Sequence, residues 1–376
     1  MRVLIAAGGT AGHINPALAI AGAIRARCPG ADIHFAGRKK GMEYGLVTKA
    51  GYPFHPIEVN GIQRRLTPRN IARNVQALYH LALAAPRAAA MIRRLRPDLV
   101  IGAGGYVSGP VVRAAARAGV LTAIHEQNAF PGVTNKLLAR QVDLVFAAMP
   151  DAVQRLGVPE KTLVVGNPVR AEIWQADRAA ARASLGIGAD RVMILSFGGS
   201  LGAQRVNEVV AALARWELDN RNFYHVHATG SIEKEDFARL ARQMGIDGDG
   251  RFVIREYIDD MPRMLAAADL VISRAGASTL AEIAAVGRAS VLIPSPNVAE
   301  NHQYYNALQL EKLGAAVVVE EKELSGEKLT EIVKSLTADR AALLEMGAKA
   351  KALAQPDSLE KIWEALARAL QSRGIG

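Results

Sequence analysis

The chain alternates short, mostly apolar runs with longer segments of helical periodicity. In the first half the apolar runs are Val3–Ala7, Ile33–Ala36, Leu99–Ile101, Leu121–Ile124, Leu144–Ala147 and Leu163–Val165. In the second half they are Val192–Phe197, Phe223–His227, Phe252–Arg255, Leu270–Ser273, Ser290–Ile293 and Ala316–Val319. Runs that are continuous rather than alternating in their apolar residues belong to parallel sheets covered on both faces, because neither face meets water. Between them the spacing predicts helices, including Pro16–Arg27, Ile71–Arg94 and Thr134–Arg140. The scheme starts afresh near residue 191: Arg191-Val192-Met193-Ile194 repeats the opening Arg2-Val3-Leu4-Ile5, and each run leads into a glycine turn and a helix. The pattern predicts two α/β domains in tandem.

A length of 376 residues exceeds what one core usually supports. Gly166-Asn167-Pro168-Val169 reads as the hinge, dividing residues 1–168 from 169–354, since proline and glycine end the preceding strand. Residues 355–376 place Leu359, Ile362, Trp363, Leu366 and Leu370 on one helical stripe. Such a helix must dock, and the first domain is the expected partner. Asp357 and Glu360 are expected to cap its start, by analogy with a capping box.

Composition narrows the class. Half of the chain is apolar and 5% aromatic, with no low-complexity run, which excludes disorder. Cys28 is the single cysteine, so a disulfide framework and a cysteine metal cluster are excluded and a reducing cytoplasm is expected. Val3–Ala7 is too short to serve as the apolar core of a signal peptide. No apolar run reaches the roughly 20 residues of a spanning helix.

The net charge of +10 is unevenly spread: residues 1–170 hold 22 Lys/Arg against 8 Asp/Glu, and the remainder 24 against 28. Between Asn60 and Pro97 there are eight arginines (Arg64, Arg65, Arg69, Arg73, Arg87, Arg93, Arg94 and Arg96) and no acid. They flank Ile71, Leu78, Tyr79, Leu81 and Leu83, as in a basic amphipathic segment lying on an anionic bilayer. A solvated helix face is the plainer alternative. Few aromatics accompany the arginines, so nucleic acid is not an expected partner.

Candidate chemistry gathers where strands end. Gly8-Gly9-Thr10-Ala11-Gly12-His13 and Gly198-Gly199-Ser200-Leu201-Gly202 each lie between a strand and a helix, where glycine lets backbone approach a phosphate and the helix start offers N–H donors. The first turn does not have the spacing of the dinucleotide fingerprint. His13 is a candidate general base. Gly104-Gly105-Tyr106-Val107-Ser108-Gly109-Pro110 repeats the strand–turn–helix logic, and two such turns on one sheet edge predict a diphosphate held between them. His125-Glu126-Gln127-Asn128 closes the strand Leu121–Ile124, with Glu126 the carboxylate placed to act as base or to orient His13. Arg274-Ala275-Gly276 leads into a helix opening at Ala277, Ser278 and Thr279. Glu282, one turn after Ser278, is suited to accept two ribose hydroxyls. Asp247-Gly248-Asp249 has the spacing of a metal-binding pair but sits among glycines, as a surface turn; no metal is assigned.

These motifs, in this order and together with Gly166-Asn167-Pro168-Val169-Arg170, resemble the MurG family over essentially the whole chain. That family transfers N-acetylglucosamine to undecaprenyl-pyrophosphoryl-N-acetylmuramyl-pentapeptide. The resemblance implies a GT-B fold: two Rossmann-like domains with parallel sheets facing across a cleft, and a C-terminal helix crossing back to the first domain. It implies that the C-terminal domain binds UDP-N-acetylglucosamine, that the N-terminal domain binds the lipid-linked acceptor, and that the inverting transfer needs no metal or other cofactor. By motif, the donor is contacted by Thr10, Ala11, Gly12, Asn128, Arg170, Ser200, Ile258, Ala277, Ser278, Thr279, Glu282 and Gln303. Ile258 meets the uracil through its backbone. Gly104, Gly105, Tyr106 and Ser108 fall to the acceptor. His13 and Glu126 are the candidate bases. The implied location is peripheral, on the cytoplasmic face of the cell membrane, against an anionic inner-membrane surface. A UDP-N-acetylglucosamine 2-epimerase shares the twin-domain plan and is the alternative reading.

Overall fold

A computed structural model describes residues 1–59, 83–220, 222–298 and 301–375. The chain divides into two compact units, Met1–Arg170 with Gln355–Gly376, and Ala171–Ala354.

The first unit is built on seven strands: β1 (Arg2–Ala6), β2 (Asp32–Gly37), β3 (Phe54–Pro56), β4 (Leu99–Gly102), β5 (Leu121–Glu126), β6 (Leu144–Ala147) and β7 (Thr162–Val164). They lie in the order β3-β2-β1-β4-β5-β6-β7, and every neighbouring pair is parallel. The apolar runs now have their cause. In β1, Val3 and Ile5 join the core on one face of the sheet, while Leu4 and Ala6 join the core on the other. Both faces are covered from Val3 to Ala6, so that stretch of the strand leaves no position for a polar residue.

The second unit repeats the plan with six strands: β8 (Val192–Phe197), β9 (Phe223–Ala228), β10 (Phe252–Arg255), β11 (Leu270–Ser273), β12 (Ala289–Leu292) and β13 (Val317–Val318). Their order is β10-β9-β8-β11-β12-β13, again wholly parallel. In both sheets the chain runs outward from the first strand, returns, and continues on that strand's other side. The reversal falls between β1 and β4 in one sheet and between β8 and β11 in the other. Helices leave on opposite faces at such a point and open a crevice beyond the carboxyl ends of the strands.

Three expectations need correction. The first helix spans Ala11–Arg27, so Pro16 lies inside it rather than at its start. Strand β3 was not anticipated: three residues ending in proline carry no readable period, and among the described residues the strand pairs only with β2, at an edge where proline is tolerated. The terminal helix, Ser358–Ser372, receives no side-chain cap from Asp357. That carboxylate pairs instead with Lys361 at 2.8 Å, and Glu360 pairs with Arg27. Ile362, Ala365, Leu366 and Leu370 of this helix are buried in the first unit's core beside Ile14, Ile20 and Ile24.

The second unit also buries a polar chain beneath β8 and β9. Glu217 meets His225 Nδ1 at 2.9 Å, Ser196 Oγ bridges His225 at 2.6 Å and His227 at 2.7 Å, and His227 Nε2 reaches Asn207 Oδ1 at 3.2 Å. Asn207 then donates to the Thr229 carbonyl at 3.0 Å. Burial pushes the His227 imidazole down to about 3.

Candidate functional site

In the first unit the turns after β1 and β4 interlock. Gly104 has φ +96° and Gly105 φ +79°. A Cβ on Gly104 would lie 2.5 Å from His13 Nδ1, and one on Gly105 would lie 2.2 Å from the Gly8 carbonyl oxygen. Only glycine satisfies both the backbone conformation and the approach. The pair therefore seats the His13 ring against the second turn. Thr10 precedes the helix without a side-chain cap, which leaves the first-turn N–H groups clear of that side chain, and His13 occupies the helix's third position.

Two nearby groups differ from expectation. Ser108 is fully buried, with its hydroxyl 2.8 Å from the Ala6 carbonyl and 2.7 Å from the Gly104 carbonyl. It ties the two turns together and is not available to an acceptor, whereas Tyr106 beside it is 56% exposed. Glu43, which belongs to none of the motifs above, is buried beneath the first turn. It accepts from the Arg38 N–H at 2.9 Å and lies 3.4 Å from the Gly9 nitrogen. Nothing in its local sequence marks it out from an ordinary first-turn acid of the helix Met42–Lys49.

His125, Glu126 and Gln127 are buried, and β5 runs on through Glu126. Glu126 does not orient His13. Its Oε1 accepts from the backbone and side-chain nitrogens of Asn128 at 3.0 and 3.1 Å. Its Oε2 accepts from the Gly132 N–H at 3.0 Å and from Asn135 Nδ2 at 2.8 Å. Four donors hold this carboxylate as the anchor of the loop after β5, so it is not the base. The partner of His13 is Gln127, whose Oε1 stands 3.1 Å from His13 Nδ1. Gln127 Nε2 lies 2.9 Å from the Ala103 carbonyl and 3.0 Å from His125 Nδ1, and His125 Nε2 lies 3.0 Å from the Gly166 carbonyl. Burial pushes the His125 imidazole down to about 4, against smaller opposing effects of Gly166 and Glu126.

In the second unit Ser200 lies in the turn after β8, and Ala277, Ser278 and Thr279 open the helix Ala277–Val286 after the adjacent β11. Neither that helix nor Gln204–Leu218, which follows the Ser200 turn, has a side-chain cap at its start. Glu282 is largely buried on the former. Ile258 is buried between β10 and the helix Met261–Ala267, and Gln303, in the helix His302–Glu311, accepts from the Ser295 N–H at 2.9 Å. Arg274 spans the loop ends structurally, donating to the Ile293 and Pro294 carbonyls at 3.2 and 3.3 Å and pairing with Glu321. Asp249 is held by the Arg251 guanidinium at 2.7 Å, which accounts for that acidic turn.

The structure thus gathers Thr10, Ala11, Gly12, His13, Gly104, Gly105 and Asn128 at the carboxyl edge of one sheet, and Ser200, Ile258, Ala277, Ser278, Thr279, Glu282 and Gln303 at that of the other. Arg170 ends the first unit, half-buried, after β7. No group of three or more metal-ligating side chains occurs among the described residues.

Residues 3–147 match the glycosyltransferase family 28 N-terminal domain, and residues 193–362 the glycosyltransferase family 28 C-terminal domain. The chain is 40% identical over 364 residues to the UDP-N-acetylglucosamine--N-acetylmuramyl-(pentapeptide) pyrophosphoryl-undecaprenol N-acetylglucosamine transferase of Desulforamulus reducens, covering 96% of this chain and 97% of that one. The transferase of the same name from Acetivibrio thermocellus is 40% identical over 376 residues, the full length of both. Among solved structures, Acinetobacter baumannii MurG superposes with a TM-score of 0.71 at 29% identity, covering 98% of this chain and 99% of that chain. A putative UDP-N-acetylglucosamine 2-epimerase from Listeria monocytogenes gives 0.70 at 13% identity, covering 99% and 97%, a likeness of fold alone.

Proposed function

The chain belongs to the MurG family, and from that premise we propose its reaction: N-acetylglucosamine passes from UDP-N-acetylglucosamine to the 4-hydroxyl of undecaprenyl-pyrophosphoryl-N-acetylmuramyl-pentapeptide, a step of peptidoglycan synthesis. The observation that carries the reading is the coincidence of three uncapped helix starts with the sheet reversals, after β1, β8 and β11. Such ends bind phosphate oxygens through their first-turn N–H groups and the positive end of the helix dipole.

His13 is the base. It takes the proton of the muramyl 4-hydroxyl as that oxygen bonds to the anomeric carbon, the bond from that carbon to the diphosphate breaks, and the configuration inverts. The charge that develops on the departing UDP is taken up by the N–H groups at Ser200 and at Ala277, Ser278 and Thr279, together with Arg170, without a metal ion. Glu282 holds the ribose hydroxyls and the Ile258 backbone the uracil, with Thr10, Ala11, Gly12, Asn128 and Gln303 completing the donor contacts. Gly104, Gly105 and Tyr106 face the acceptor diphosphate. The protein works peripherally on an anionic membrane surface, on its cytoplasmic side. Among the described residues no helix is long and apolar enough to cross a membrane.

The test is UDP release from UDP-N-acetylglucosamine in the presence and absence of a short-chain analogue of the lipid-linked acceptor. Release that requires the acceptor, persists in excess chelator, slows with Arg170→Ala and falls by about 100-fold or more with His13→Ala is the expected result. Conversion of the donor without acceptor would instead identify an epimerase or a hydrolase.

A further inference from the structure

The hydrogen bonds behind His13 run in one direction only. A backbone carbonyl can only accept, so the contact of His125 Nε2 with the Gly166 carbonyl at 3.0 Å places a proton on that nitrogen. His125 is buried completely and its charged form is disfavoured there, so Nδ1 keeps its lone pair and must accept. The group facing it, at 3.0 Å, is the nitrogen of the Gln127 amide. The same nitrogen lies 2.9 Å from the Ala103 carbonyl, which also demands a donor. Two independent acceptors therefore fix the orientation of this amide and turn its oxygen toward His13. That oxygen, 3.1 Å from His13 Nδ1, can only accept.

We infer that Gln127 and His125 are positioning residues that hold His13 in its Nδ1–H tautomer, so that Nε2 is the nitrogen that receives the acceptor's proton. This rests on the reading of His13 as base and deepens it by naming the atom and the relay behind it. The chain of atoms is Gly166 carbonyl, His125, Gln127, His13, and each link points its hydrogen toward Gly166: His125 donates to the carbonyl, Gln127 donates to His125, and His13 donates to Gln127. Among the described residues His13 Nε2 has no hydrogen-bond partner. Gly104 completes the arrangement, since a Cβ there would occupy the space of Nδ1 and displace the ring from Gln127. The relay does for this imidazole what a buried carboxylate does in other sites, but with a neutral amide, so that the group holding the base carries no charge.

The test is a long-range proton–nitrogen NMR spectrum of the full-length protein labelled with nitrogen-15 histidine, with His13→Ala assigning the signal. At a pH where the ring is neutral, His13 is expected with Nδ1 protonated and Nε2 bare, the opposite of the form favoured by a free histidine side chain. In Gln127→Leu the tautomers should mix, and kcat should fall by roughly 10- to 100-fold while the KM for UDP-N-acetylglucosamine holds. A wild-type spectrum with the proton on Nε2 overturns the inference, and so does a folded Gln127→Leu with unchanged tautomer and kcat. Where Gln127→Leu does not fold, the wild-type spectrum decides by itself. Full turnover by His13→Ala would instead remove the base assignment on which the inference rests, and the spectrum would still report the tautomer.

Discussion

Single side chains in the first unit divide into those open to substrate and those that hold others in place. Glu126 and Ser108 have the residue types of a base and a diphosphate contact, yet both are buried and fully engaged within the protein. Gly104 shows how tightly the two turns constrain each other. Gly104→Ala adds one methyl group at φ +96°, 2.5 Å from His13 Nδ1. It is expected to cost about 1–3 kcal/mol of stability through backbone strain and to lower kcat by moving the imidazole. Urea unfolding and single-substrate kinetics check the two effects separately. An alanine variant with unchanged stability and rate would show that the ring does not depend on this turn.

Elements were legible in the sequence where one face or both faces demanded apolar residues, and illegible where polar groups found partners inside. The strand ending at Glu126 was read two residues short because its apolarity stops at Ile124, while its hydrogen bonding continues. The start of the first helix was missed for the opposite reason. Pro16 looks like a helix start, but the turn at residues 11–15 that precedes it is already helical. Two of the anchors of Glu126, Gly132 and Asn135, lie 6 and 9 residues further on, and Gln127 meets a ring 114 residues away, separations on which local spacing is silent.

The basic stretch is legible in part. Arg64, Arg65, Arg69 and Arg73 lie outside the described residues, but residues 83–95 are helical. Ala84, Ala88, Met91, Ile92 and Leu95 of that helix are buried, while Arg87, Arg93 and Arg94, and Arg96 just beyond, are exposed. A helix whose apolar side is already covered offers a membrane charge alone. Sedimentation with anionic vesicles is therefore expected at about 0.1 M salt and to be lost near 1 M, where screening shrinks to roughly 3 Å. Binding that survives high salt would indicate apolar insertion and overturn this.

At the scale of the whole molecule, each unit carries a buried neutral histidine, His125 in one and His227 in the other, held down to about 4 and about 3 by burial. Unfolding returns each to an ordinary value near 6.5. Above that pH neither state binds the proton and neither histidine makes stability depend on pH. Below it the unfolded chain protonates first, so stability falls as the pH drops toward the folded values. The slope approaches about 1.4 kcal/mol per pH unit for each histidine. Urea midpoints measured from pH 7.5 to 5 should decline for the transitions of both units; flat midpoints would mean that these imidazoles already carry a charge in the folded state.

The terminal helix fixes an order of events during synthesis. Ile362, Ala365, Leu366 and Leu370 complete a core whose other walls, Ile14, Ile20 and Ile24, leave the ribosome first. The second unit is one uninterrupted segment, Ala171–Ala354. A nascent chain can therefore close its later half while its earlier half still waits with an open apolar face. That half is translated before the second unit and finished after it, and a stop just ahead of Ser358 damages the core around Ile14, Ile20 and Ile24.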